Sequence, residues 1–495
     1  NAVKFVGEED GNFDNNDYIL FYGEGPKTYS EESETNLNLY TDKTYYYVNI
    51  GSGTGKRIQP MSTIDAASDF QINTFQDYQF YEVDEVNLAK LGRRWFGDDF
   101  DIENQRDYEF EFPNLVNDIP VSFDIAVGSV SEVATTMKIS INGNEVSTLG
   151  LGEIDPGSTL ATGKEYIGSQ TIAGDVITVS FDYNNSGNPS SNAFLDYINI
   201  EATRDLIYEG GQLVFKNKQV ITTPGIVEYN LSNTSSVAEI WDVTDRFNVR
   251  STLNSVNEST LIFKAQSGEE RTYLAFSNSS FLLPIQDARS TVANQNLKGT
   301  IFNNAQGQFE DIDYIILAPS QFVSEAERLA QINRTQYNLN VKVVDLQTIY
   351  NEFSTGSQDI AALRNFIKYV YDNASTPAKR LKYLCLFGDG SYDYKDRIRN
   401  NTNLVPSWYS KASFNLTDSF VSDDFYAMLD DNEGGSLLDN DRMDIAIGRI
   451  LAEDLQRAKE MVDKINAYYQ PEAYGSWRNN IVLISDDVDV QWERI

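Results

Sequence analysis

The chain offers few of the side chains that enzymes use as bases and nucleophiles. It has no histidine and one cysteine, Cys385, so carboxylates, hydroxyls and a single thiol are all it brings to chemistry. The densest block lies between Lys382 and Arg449 and reads KYLCLFGDGSYDYKD, then VPSW, then TDSFVSDDFYAMLDD, then MDIAIGRI. Strand-like apolar runs end on Asp345, Asp389 and the pair Asp486 and Asp487. In open α/β sheets, ligands bind beyond the carboxyl ends of the strands, so these carboxylates are placed to serve a site. An Asp after a strand also caps the next helix or closes a turn, and convergence in space decides between the two roles. Cys385 sits among Tyr383, Leu384, Leu386 and Phe387 with no base or cation beside it, the setting of a buried strand thiol. Without histidine, a Ser-His-Asp triad and histidine-ligated zinc are excluded.

Calcium takes oxygen ligands, and DGNFDNND places Asp10, Asn12 and Asp14 at the spacing of the first three ligands of an EF-type loop, with Asp17 closing the run. Asn15 stands where that loop has glycine and Phe21 where it has its bidentate glutamate. A candidate calcium site and a solvated Asx turn therefore both remain open, and the acidic loop Asp430 to Asp444 poses the same choice. Gly51 to Arg57, GSGTGKR, has three residues between its outer glycines and Arg after Lys56, so it fails as a phosphate loop.

The elements that must position these residues follow from length and pattern. A chain of 495 residues is long enough for about three domains. Asp and Glu number 74 against 39 Lys and Arg, a formal charge of −35 that repels polyphosphate and argues against a nucleic-acid partner. Residues 1–300 alternate short β-type runs with Gly, Asn, Asp and Ser. They are expected to form an N-terminal β-rich domain over 1–95, a jelly-roll-like β-sandwich over 96–205 and a β-rich linking domain over 206–300. MKISINGNEV, from Met137 to Val146, predicts a hairpin turning at Asn142-Gly143. From 301 to 495 the pattern becomes α/β. Apolar runs at 314–318, 341–345, 383–387, 445–448 and 481–485 alternate with amphipathic helical stretches, which predicts a mainly parallel sheet covered on both faces.

The set GDGSYD (388–393), VPSW (405–408), DSFVSDDFY (418–426) and DIAIGR (444–449), followed by a helix and the strand IVLIS, resembles the gingipain-type cysteine peptidases, whose fold is caspase-like. DGNFDNNDYILFYGEGP (10–26) and FLDYINIEATRDL (194–206) extend the resemblance over most of the chain, toward the sortases of the type IX secretion system within that family. The resemblance implies a peptidase on the outer face of a Gram-negative outer membrane. It would remove the C-terminal signal domain of secreted cargo and join the cargo to an anionic lipopolysaccharide, alongside a β-barrel shuttle protein. No cofactor is needed for that chemistry. The family's catalytic histidine, in a His-Gly context, and its nucleophilic cysteine lie downstream of the strand corresponding to IVLIS. By this resemblance 301–495 is the first part of a peptidase domain, incomplete at its C-terminus, and the 495 residues alone are inactive. Asp487, or its neighbour Asp486, falls where the family places the carboxylate that orients the histidine. The alternative is a non-catalytic surface binding or scaffold protein. A glycoside hydrolase with paired carboxylates is a third reading, but no pair is marked by spacing.

Overall fold

The structure, a computed structural model, describes residues 1–31, 33–286, 291–435, 437 and 441–482. Two units emerge: Asn1–Asn294 with Tyr409–Val421, and Gln295–Trp408 with Ser422–Ile495.

In the first unit, strict alternation makes strands with one dry face. Strand β1 is Thr74–Glu82, β2 Gln105–Glu111, β3 Val121–Val130, β4 Thr135–Ile141, β5 Asn144–Leu151, β6 Thr162–Gln170, β7 Val176–Asn184 and β8 Asn192–Asp205. They form two antiparallel sheets, in the orders β6-β3-β8-β1 and β5-β4-β7-β2. Phe123, Ile125, Ile198 and Ile200 of one sheet and Met137, Ile139, Val179 and Phe181 of the other share a single buried core, which makes the expected sandwich. The β4–β5 hairpin turns at Asn142 and Gly143, with φ of 47° and 78°. Positive φ at both central residues is what a tight turn compatible with strand twist requires.

Residues 1–95, expected as a domain of their own, instead supply strands to their neighbours. β1 runs antiparallel to β8 from Tyr197↔Glu82 to Asp205↔Thr74. Phe70–Ile72 pairs parallel with Ile226–Ser232, and Gln59–Pro60 pairs with Arg250–Leu253. Fourteen-residue β8 offers an open edge, and β1 satisfies its backbone groups. The region after 206 has an aromatic core in which Tyr229 stacks on Phe263 at 5.0 Å. Residues 409–421 also belong to this unit, although they lie inside the span expected to be wholly peptidase domain. Phe414 accepts hydrogen bonds through its carbonyl from Leu160 N (2.7 Å) and Ala161 N (3.0 Å), and its ring lies 6.0 Å from that of Phe96. Gly163 leaves room for that ring, since a Cβ there would sit 2.6 Å from it.

Arg94 is the electrostatic centre of this unit. Its guanidinium meets Asp196 at 2.5 Å and Glu34 at 3.0 Å, and Lys411 reaches Glu34 at 2.5 Å. The side chains of Arg94 and Asp196 are 16% and 2% exposed, so the pair is held away from water.

The second unit is the expected parallel sheet. β9 is Tyr314–Ala318, α1 Val323–Tyr337, β10 Val341–Asp345, α2 Leu346–Phe353, α3 Ile360–Asp372, β11 Tyr383–Phe387, β12 Ala446–Ile450 and α4 Leu455–Tyr468. The strand order is β10-β9-β11-β12, all parallel. Asp345, Asp359 and Asp454 cap α2, α3 and α4 by accepting backbone N–H bonds, which satisfies donors the helices leave open. Ile316, Cys385, Phe387, Leu329 and Val462 lie in one core cluster. Of the expected strand 481–485, Ile481 and Val482 lie outside any strand and are exposed. Residues 483–485 lie outside the described ones, as do Asp486 and Asp487.

Candidate functional site

The chain leaves β9 for β10 on one side and returns across the sheet to β11 and β12 on the other, so the topological switch falls between β9 and β11. The crevice beyond the carboxyl ends of these strands is where such a sheet places a ligand. Its strand-end carboxylates divide between two roles. Asp345 is a cap, accepting from Gln347 N at 2.8 Å and Thr348 N at 3.3 Å, and its other oxygen accepts from Ser320 Oγ. Asp389, two residues past β11, caps nothing. Among the described residues its Oδ1 is buried without a hydrogen-bond partner, while its backbone holds the following loop through Leu404 N and Val405 N. Burial and then the neighbouring Glu453 push its carboxyl up from the usual range, with Arg449 opposing.

Arg449 explains why the four motifs travel together. Its Nε and Nη2 grip Asp423 at 2.7 Å each, Nη1 donates to Gly388 O at 2.8 Å and Val405 O at 2.7 Å, and Nη2 also reaches Ser407 Oγ at 2.8 Å. One side chain thereby joins GDGSYD, VPSW and DSFVSDDFY to its own strand. All five guanidinium donors are engaged, so Arg449 positions loops and has no donor left for a substrate. Gly390 permits this closeness, since a Cβ there would lie 2.6 Å from Ser407 Oγ. Asp393, fully buried, takes backbone N–H bonds from Lys395 (3.1 Å), Arg397 and Ile398 (2.7 Å), and so closes the turn of its own motif. Neither Arg449 nor Asp423 was singled out from sequence. An arginine inside an otherwise apolar parallel strand was the signal for both.

Cys385 lies inside β11, buried, with its thiol pushed up to about 12 by desolvation. A thiol so held carries almost no thiolate at neutral pH and is not a nucleophile. The acidic loop from Asp430 offers its oxygens to the protein's own cations: Arg364 donates to Met428 O at 2.7 Å and to Asp430 O and Glu433 O at 3.0 Å.

In the first unit, the carboxylates of DGNFDNND turn onto their own backbone. Asp10 accepts from Asn12 N (2.8 Å), Asp14 from Asn16 N (2.9 Å) and Asp17 from Asp14 N (2.8 Å). Gly7, at φ 98°, makes room for Asp17, because a Cβ there would fall 1.7 Å from its Oδ1. Asp10 and Asp14 thus form successive Asx turns, Asn12 Nδ2 donates to Asp10 O, Asp17 reaches back to the Asp14 amide, and among the described residues no three His, Cys, Asp or Glu side chains converge as a metal group.

The parallel sheet, its capped helices and the Arg449-centred loops define an α/β domain. The sequence model of peptidase family C25 matches residues 308–494, the region that carries this domain. The crystal structure of dimeric latent PorU from Porphyromonas gingivalis is similar over 97% of this chain and 45% of that one, with a TM-score of 0.76 and 21% identity. The chain therefore has the PorU fold and spans less than half of PorU's length. A carbohydrate-binding module of a multidomain xylanase from the hindgut metagenome of Trinervitermes trinervoides matches over 25% of this chain and 96% of that one, at 15% identity and a TM-score of 0.16. An insecticidal delta-endotoxin from Bacillus thuringiensis matches over 21% of this chain and 20% of that one, at 11% identity and a TM-score of 0.18. Likenesses of that size carry no argument. No curated protein matches the chain.

Proposed function

We propose that this chain is the N-terminal part of a cell-surface cysteine peptidase with sortase activity. On this reading the whole protein removes the C-terminal signal domain of cargo secreted by the type IX system and transfers the cargo to an anionic lipopolysaccharide. The observation that supports it is the coincidence of the family C25 match over 308–494 with a PorU-like fold over almost the whole chain. The reaction would be acyl transfer. A thiolate attacks the scissile carbonyl, a histidine relays the proton, and the acyl-enzyme is released to water or to the acceptor. This chain has no histidine and its thiol is buried, so both groups would come from sequence beyond Ile495. Asp486 or Asp487 would orient the imidazole. The partners would be the cargo signal domain, the lipopolysaccharide acceptor and an outer-membrane β-barrel shuttle protein. Among the described residues no helix is long and apolar enough to cross a membrane.

The test is cargo processing by the complete protein. Cys385→Ala is expected to keep full signal removal, and replacement of a downstream cysteine to abolish it. Loss of processing in a folded Cys385→Ala protein would overturn the assignment. The buried thiol also favours a second reading, in which these 495 residues act alone as a non-catalytic scaffold. A gene that stops after Ile495, in a cell where the isolated chain still binds cargo, would establish it.

A further inference from the structure

The strand Tyr18–Phe21 lies at the edge of a small sheet that the peptidase reading leaves without a use. It runs antiparallel to Val3–Val6, with Phe5 opposite Ile19 and Val3 opposite Phe21. On the far side of Val3–Val6 the chain covers the edge itself, through Val3 N to Lys56 O and Ile58 N to Val3 O, both at 2.9 Å. No second strand pairs with Tyr18–Phe21 among the described residues. In an antiparallel pair, alternate residues turn both N–H and C=O away from the partner, so this edge offers donors and acceptors to an incoming strand. Its sequence, YILF, has none of the lysine, proline or bulge that blunt such an edge.

The face turned away from the core is apolar. Leu20 and Tyr22 pack on the cluster of Trp241, Val249 and Phe276, so alternation turns Ile19 and Phe21 the other way. There Phe13 meets Phe5 at 6.4 Å and Tyr46 meets Phe21 at 5.1 Å between ring centroids. Ile19 remains 37% exposed and Phe13 67%. The loop that joins the two strands ends at Asp17, directly against the first residue of the free edge. It reads GEEDGNFDNND, with five acidic residues and no lysine or arginine. Glu8 is paired with Arg57. Asp10, Asp14 and Asp17 accept from backbone amides and meet no cation among the described residues.

We infer that Tyr18–Phe21 is a docking edge for an extended, basic peptide segment of a partner protein. The segment adds as the next strand, with apolar side chains against Ile19 and Phe21 and its lysines or arginines toward Asp10, Asp14 and Asp17. In strand addition, main-chain bonds give affinity and side-chain contacts give specificity. The charge of the loop chooses among occupants. A second copy of this chain would bring its own acidic loop against the first, on top of a net −35 on each. An anionic lipid surface is repelled for the same reason. A basic strand is attracted, and its capture weakens as salt screens the charges. An ammonium needs no convergent ligands, so the loop keeps its internal hydrogen bonds as the peptide binds.

The experiment is fluorescence anisotropy of labelled peptides with the 495-residue chain at low salt. The probes are an alternating Lys-Val peptide, an alternating Glu-Val peptide of the same length, and the Lys-Val peptide with proline in place of its central valines. The first is expected to bind at least about tenfold more tightly than either control, and to slow hydrogen exchange at the amides of Tyr18–Phe21. Ile19→Ser, which leaves the charge unchanged, is expected to weaken binding about fivefold, with the unfolding midpoint little changed. Asp10→Asn, Asp14→Asn and Asp17→Asn together keep the backbone hydrogen bonds and are expected to weaken binding and flatten its salt dependence; this variant serves if Ile19→Ser does not fold. Equal binding of the proline peptide would mean plain charge attraction, and binding indifferent to Ile19→Ser would place the peptide elsewhere. Either result overturns the inference, as does no binding at all. Dimerisation of the chain alone, lost in Ile19→Ser, would give the edge to a second copy and overturn it too. None of these outcomes bears on the peptidase reading, which concerns the other unit.

Discussion

Each unit ties distant stretches of chain together with one arginine, and the two solve the problem of a buried cation differently. In the β unit, Arg94 is matched charge for charge, with Asp196 and Glu34 against its guanidinium and Lys411 balancing Glu34. In the α/β unit, Arg449 grips the carboxylate of Asp423 with two donors and gives the others to two carbonyls and a hydroxyl. The exposure of the partners differs too, Asp196 at 2% against Asp423 at 23%. A desolvated pair becomes costly when one member is removed, because the other is left as an uncompensated buried charge. A charged partner with access to water, as Asp423 has, loses much less. The β unit thus uses charge to hold its fold, while the α/β unit uses a cation to hold loops at the mouth of a candidate site.

The largest effect should come from breaking the first pair. Arg94→Met is expected to lower unfolding free energy by about 3–5 kcal/mol, read by denaturant titration. The double variant Arg94→Met with Asp196→Leu should recover most of the loss, since it removes both charges. A single-variant loss under about 1 kcal/mol would mean that the pair is worth no more than a surface bridge, and the contrast between the units would fall.

Arg449→Met should cost less, about 2 kcal/mol, because Asp423, 23% exposed, rehydrates and no fully buried charge is left behind. Its clearer readout is local: limited proteolysis should open new sites between Gly388 and Trp408 while the β unit stays intact. Arg449→Lys should not restore protection, since an ammonium cannot span five acceptors in a plane. Unchanged proteolysis would leave Arg449 as an ordinary buried residue.

Much of this contrast was legible in the sequence, and the part that was not has a physical reason. The parallel strands showed as short apolar runs, the hairpin as Asn142-Gly143, and the role of Cys385 from its apolar neighbours. Asp345 was legible as a strand-end carboxylate, and the structure makes it the cap that was its competing role. Strand partners were hidden. The alternation of TFQDYQFYE says strand but not that it joins β8 more than a hundred residues later, and nothing in 409–421 says that it leaves the α/β unit. Pairing across such distances depends on which edge is open, and no local pattern records that. Asp389 could be placed at its strand end, whereas its lack of a partner depends on where Val405 and Ala452 bring their backbones. Asp486 and Asp487 lie outside the described residues.

A smaller effect separates the two units by thiol chemistry. With its thiol pushed up to about 12, Cys385 should resist iodoacetamide in the folded protein at mild alkaline pH and react fully on unfolding. The folded state holds its proton more tightly than the unfolded one, whose thiol has the ordinary value of 9.0. Stability from this group is therefore complete below that value and is lost as pH rises toward 12. Cys385→Ala should remove this alkaline slope and cost about 1 kcal/mol through the small void it leaves. Rapid labelling of the native protein would show that β11 opens and that the α/β core is less closed than its burial indicates.

The smallest effect is expected at Asp10–Asp17, and there it sharpens the contrast between charge used internally and charge offered to a ligand. The loop's carboxylates accept from its own amides. A cation must displace those bonds and gains none of the convergence it needs. An ion held with Kd ~0.1 mM would add about 1.4 kcal/mol at ~1 mM. We expect millimolar calcium to shift the unfolding midpoint by less than a third of that, and Asp10→Ala to cost at most about 0.5 kcal/mol. The outcome that would reverse this is specific. A calcium-dependent stabilisation abolished by both Asp10→Ala and Asp14→Ala would mean that the Asx turns reorganise around an ion. The acidity of the β unit would then serve a ligand.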